Sequence, residues 1–111
     1  MNYTLYDLEI TVTGDPETFN CSHTVSDGLI IKGENLSFKA GTEQFSHYAL
    51  ATLTPYIAAK QRCRDEQDWM FYESVIACPD PACGAQFNIA RIGESVYSYE
   101  TPKVDTAKSH K

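Results

Sequence analysis

The stretch Cys78-Pro79-Asp80-Pro81-Ala82-Cys83-Gly84 constrains this chain more than any other. Its two prolines stiffen the backbone, because each locks a torsion and removes an amide donor. Apolar segments lie on both sides. Met70 to Cys78 carries Phe71, Tyr72, Val75, Ile76 and Ala77; Ala85 to Ile92 alternates Phe87, Ile89 and Arg91 against Asn88, Ala90 and Ile92. This pattern predicts two strands joined by a rigid hairpin tip that presents two thiols. Residues 93 to 98 are available to continue the second strand.

The remaining elements follow from periodicity. Tyr3 to Thr13 alternates, with Tyr6, Leu8, Ile10 and Val12 on one side, which predicts a half-buried strand. Gly14-Asp15-Pro16 ends it. Residues 17 to 27 are polar and irregular, and carry Cys21 and His23. Leu29-Ile30-Ile31 predicts a second strand, and Leu36 to Ala40 a short extended piece. Phe45, Ala49, Leu53 and Ile57 recur at helical spacing. Thr42 is the expected N-cap of that helix. Pro55 is expected to kink or divide it. Residues 60 to 69 are strongly charged and predict a solvated loop. Strand, strand, helix, strand, strand is the order of an α+β domain, a small antiparallel sheet packed against one kinked helix. The domain is expected over residues 1–98, with a flexible C-terminal tail over 99–111.

A length of 111 residues fits one domain with a single modest core. The net charge of −6 argues against gripping nucleic acid or an anionic membrane, both of which need clustered Lys and Arg. The amino terminus lacks a cationic and apolar leader, and no apolar run approaches a bilayer span. The expectation is therefore a cytoplasmic protein, where thiols stay reduced.

In such a setting, cysteines point to metal, catalysis or plain burial. Zinc favours four Cys and His ligands in a tetrahedron, and a hairpin tip with two thiolates supplies half of that set. Four residues separate Cys78 from Cys83, at the wide edge of knuckle spacing. Cys21 and His23 are offset by two, so in an extended segment they share a face and can jointly meet the tip. The candidate metal ligands are thus Cys21, His23, Cys78 and Cys83, for zinc or iron, with His47 and Ser46 as additional candidates. The alternative is that small thiols simply fill the core. Cys63, between two arginines, is read as an incidental thiol. No hydrolase elbow, phosphate loop or dinucleotide fingerprint is present, so no reaction is assigned.

Taken together, Leu5-Tyr6-Asp7-Leu8, Cys21-Ser22-His23, Tyr48-Ala49-Leu50, Pro55, Ala59-Lys60-Gln61-Arg62, Trp69 and Cys78-Pro79-Asp80-Pro81 resemble a family of small uncharacterised bacterial proteins of about this size. The resemblance covers residues 4 to 93. It implies thiols in the first loop, at the helix start and at the Cys-Pro-Asp turn, which fall on Cys21, position 46 and Cys78. Position 46 is Ser46 here, a departure from that pattern. Two readings without metal stay open. One is an accessory subunit that presents an aromatic helix face or strand edge to a protein partner, or to a second copy of itself. The other is a small-ligand module lined by Tyr48, Trp69 and Tyr72.

Overall fold

The computed structural model describes residues 2–98; the tail expected over 99–111 lies outside the described residues. Five strands form one antiparallel sheet: β1 (Asn2–Thr13), β2 (Gly28–Lys32), β3 (Asn35–Phe38), β4 (Ser74–Ala77) and β5 (Gln86–Ser98). Their order across the sheet is β3-β2-β1-β5-β4. One helix, α1 (His47–Arg62), packs against β1. The expected α+β architecture is what the chain adopts.

The two long strands form the spine. β1 pairs with β5 from Asn2↔Ser98 to Thr13↔Gln86, with one irregularity where Leu8 faces Arg91 and Asp7 faces Gly93. Ile92 has no partner there, so it is the extra residue of a β-bulge, a device that bends a ribbon and sharpens its twist. β2 covers only Leu8 to Thr11 of β1, and β4 covers only Gln86 to Ile89 of β5. The full sheet is therefore built at one end of the spine. Residues 93 to 98 continue β5 as anticipated.

The core fills that end. Leu8, Ile10 and Val12 of β1, Leu29 and Ile31 of β2, and Phe87 and Ile89 of β5 are buried against Ala49, Leu53 and Ile57 of α1. The spacing of four between those helix residues places them on one stripe. Gly28 lies so close to β1 that a Cβ there would overlap the Ile10 carbonyl oxygen. This contact explains the glycine at the start of β2.

Several local expectations are corrected. Ser46, not Thr42, caps α1: its hydroxyl oxygen accepts from the Ala49 amide at 3.2 Å. Thr42 is buried, and its hydroxyl oxygen accepts the Gly28 amide at 2.9 Å. Pro55 does not divide α1, which runs unbroken for 16 residues. Pro55 is on the exposed side of the helix. Lys60 and Gln61 belong to the helix and are buried rather than solvated. Trp69–Phe71 forms a short 3-10 turn, so β4 begins only at Ser74.

Candidate metal centre

The four ligand candidates come from two segments nearly sixty residues apart. Cys78 and Cys83 flank the β4–β5 turn, as its sequence suggested. The Cys78 amide donates to the Ala85 carbonyl at 3.1 Å and the Cys83 amide to the Asp80 carbonyl at 2.9 Å. These bonds close the tip into a compact knuckle. Cys21 and His23 lie on the irregular segment between β1 and β2. That segment follows a 3-10 turn over Pro16–Thr18, capped by the Asp15 carboxylate.

The two segments converge. One ligand atom from each of Cys21, His23, Cys78 and Cys83 lies within 4.8 Å of the others. Cys21 Sγ is 4.0 Å from Cys78 Sγ, and His23 Nε2 is 3.6 Å from Cys78 Sγ. A zinc ion with bonds of about 2.3 Å to sulfur and about 2.0 Å to nitrogen sets tetrahedral edges of about 3.8 Å and about 3.6 Å. These two separations are close to such edges, so the cluster has the size and donor chemistry compatible with a metal site.

Residues that sequence reasoning passed over hold the convergence. Asn20 Nδ2 donates to Asp80 Oδ2 at 2.7 Å, tying the first loop to the knuckle. The other Asp80 oxygen accepts the Ala82 amide at 2.9 Å, an Asx turn that the Asp between two prolines could have signalled. Cys21 Sγ donates to Asp80 Oδ2 at 3.5 Å. The Gly84 amide donates to the Thr18 carbonyl at 2.8 Å, and a Cβ at position 84 would overlap the Thr18 hydroxyl. Only glycine permits that approach. The His23 ring stands edge-on to Phe87, with centroids 5.2 Å apart, so the core fixes its orientation.

The three thiols of the site are tuned in different directions. Burial, then the Cys78 thiol and the Asp80 carboxylate, push Cys21 up to about 12. Burial also raises Cys78. For Cys83, burial acts upward but is outweighed. The amides of Cys21, Ala85 and Asn20 donate towards its sulfur and, with the Cys78 thiol, bring it down to about 7. Burial lowers His23, which keeps the imidazole neutral and its lone pair free to coordinate. The Asn20 amide and the Ala82 backbone hold Asp80 below its ordinary value. A divalent ion at the centre of the cluster would reverse the upward shifts of Cys21 and Cys78 and deepen the downward shift of Cys83, since it stabilises each thiolate directly.

The additional candidates fall outside the cluster. The Ser46 hydroxyl is committed to capping α1. His47, the first residue of α1, is exposed and stacks on Tyr48 with centroids 4.2 Å apart. Both line a cleft of about 600 Å3 that also reaches Cys21 and His23. Tyr48 lines this cleft, whereas Trp69 leans on Tyr56 further along the helix and Tyr72 on Phe71. The three aromatics thus do not share one lining. Cys63 caps the far end of α1 and is remote from the cluster. Among the described residues, no helix is long and apolar enough to cross a membrane.

No family model, curated protein or solved structure matches this chain.

Proposed function

We propose that this chain is a small zinc-binding domain of the reducing cytoplasm, with Cys21, His23, Cys78 and Cys83 as a complete ligand set. The observation that carries the reading is the convergence of the four donor atoms within 4.8 Å. Three sulfurs and one imidazole are soft and borderline donors, which favours zinc over hard cations. Four protein ligands fill a tetrahedron, and a filled shell is the mark of a structural rather than a catalytic centre. The position agrees, since the ion would pin the β1–β2 segment to the β4–β5 knuckle at the end of the core. A closed Cys3His set is a common structural zinc site, which favours zinc over iron in this reading.

Elemental analysis of protein purified under reducing conditions tests this. The expected result is close to one zinc per chain, lost in Cys78→Ser. A folded native protein without metal, that also takes none up from added zinc, would overturn the reading.

A further inference from the structure

The three sulfurs of the centre meet solvent unequally. Cys21 is half-buried and lines the cleft together with Ser22, His23 and Tyr48. Cys78 and Cys83 are each 8% exposed. Cys21 Sγ and Cys78 Sγ lie 4.0 Å apart. Cys83 Sγ is within 4.8 Å of both, and the amides of Cys21, Ala85 and Asn20 also donate towards it. A disulfide needs sulfurs about 2.0 Å apart, so the first pair must close by about 2 Å. Cys21 lies in an irregular segment outside the sheet, where such a shift breaks no strand pairing. Cys78 immediately follows β4 and can stay in place.

We propose that the centre releases its metal in response to a hydroperoxide, through a disulfide between Cys21 and Cys78. This rests on the zinc reading above. The Cys21 sulfur, reached from the cleft, attacks one oxygen of the hydroperoxide. The O–O bond breaks, Cys21 becomes a sulfenic acid, and the departing oxygen takes a proton and leaves as an alcohol, or as water when the oxidant is hydrogen peroxide. The Cys78 sulfur then attacks the Cys21 sulfur. The S–O bond breaks, and the hydroxide takes a second proton and leaves as water. Two thiolates, one hydroperoxide and two protons thus give one disulfide, one alcohol and one water. Two of the four donors are consumed. Cys83 and His23 alone do not hold the ion, and it departs.

The test treats the zinc-loaded full chain with hydrogen peroxide. A chromophoric chelator follows free zinc, while alkylation and peptide mass mapping locate the bond. The expected result is one zinc released per disulfide and a Cys21–Cys78 cross-linked peptide, about 2 Da lighter than the reduced pair. Cys83 and Cys63 remain alkylatable, and dithiothreitol with zinc restores the starting state. Retention of zinc under excess peroxide would overturn the proposal. So would a Cys78–Cys83 bond, or release that accompanies sulfinic acid rather than a disulfide. Cys63→Ser, mapped in parallel, must give the same bond; loss of the bond in that variant would assign it to Cys63 instead. If the folded chain holds no zinc and takes none up when it is added, the zinc reading fails on its own. The same mapping on the metal-free chain then decides the sulfur pairing, with any bond other than Cys21–Cys78 refuting it.

Discussion

Lys60 carries its ammonium into the core. Its side chain is fully buried, and Nζ donates to the Met70 carbonyl at 3.1 Å, the Tyr72 carbonyl and the Ser74 hydroxyl at 2.9 Å. These bonds fasten α1 to the 3-10 turn and the start of β4. Burial, reinforced by the nearby Arg91 guanidinium, holds Lys60 below its ordinary value of 10.5. The folded chain therefore binds fewer protons than the unfolded chain between the depressed value and 10.5, and Lys60 adds stability as pH rises through that window. Lys60→Met removes a donor shared by the Met70 carbonyl, the Tyr72 carbonyl and the Ser74 hydroxyl, and is expected to cost about 1–3 kcal/mol. The gap between the two proteins should widen from neutral pH to about pH 9.5, because the variant lacks the proton-linked gain. Urea melts at both pH values measure it. At the centre, Asp80 contributes through its neighbours. Asp80→Ala removes the acceptor for Asn20, Ala82 and Cys21. Loss of such an outer partner is expected to weaken zinc binding by about 10–100-fold, read by competition with a chromophoric chelator.

At the scale of elements, α1 holds the clearest case of tolerated strain. Pro55 withdraws one amide from the ladder, while Thr54 Oγ1 donates to the Leu50 carbonyl at 2.7 Å beside it. Packing of Leu53 and Ile57 keeps the helix whole across that gap. Pro55→Ala should restore the missing bond and raise stability by about 1–3 kcal/mol, seen as a higher Tm. This helix also shows what sequence can convey. Its apolar stripe was legible because burial follows the helical period; β1 was legible over Leu8, Ile10 and Val12, whereas Leu5 and Asp7 are buried in the other phase, before the irregularity at Asp7/Leu8. The hairpin tip and the shared face of Cys21 and His23 were legible from local chemistry alone. The cap was not, since Thr42 and Ser46 are equally good N-caps in isolation; only the tertiary bond from Thr42 to Gly28 decides between them. Buried Lys60 was equally hidden, because its acceptors belong to a turn that a run of charged residues disguises.

Over the whole molecule, a metal bridge between the first loop and the last hairpin would close a large loop, and binding energy of that kind adds directly to folding energy. Chelation should therefore lower the Tm, at about 4–8 °C for each kcal/mol lost in a domain of this size, as calorimetry with and without chelator would show. Gly84→Ala should also weaken zinc binding while leaving most of the secondary structure seen by circular dichroism, because it pushes the knuckle away from Thr18. The spine has a separate consequence. β1 and β5 are the first and last strands described, yet they lie side by side at the middle of the sheet. On the ribosome, β1 must wait until Gln86–Ser98 is made before its main partner emerges. Nascent chains stopped short of Gln86 should stay open to protease and be candidates for chaperone capture, since their central strand has one flank still unmade.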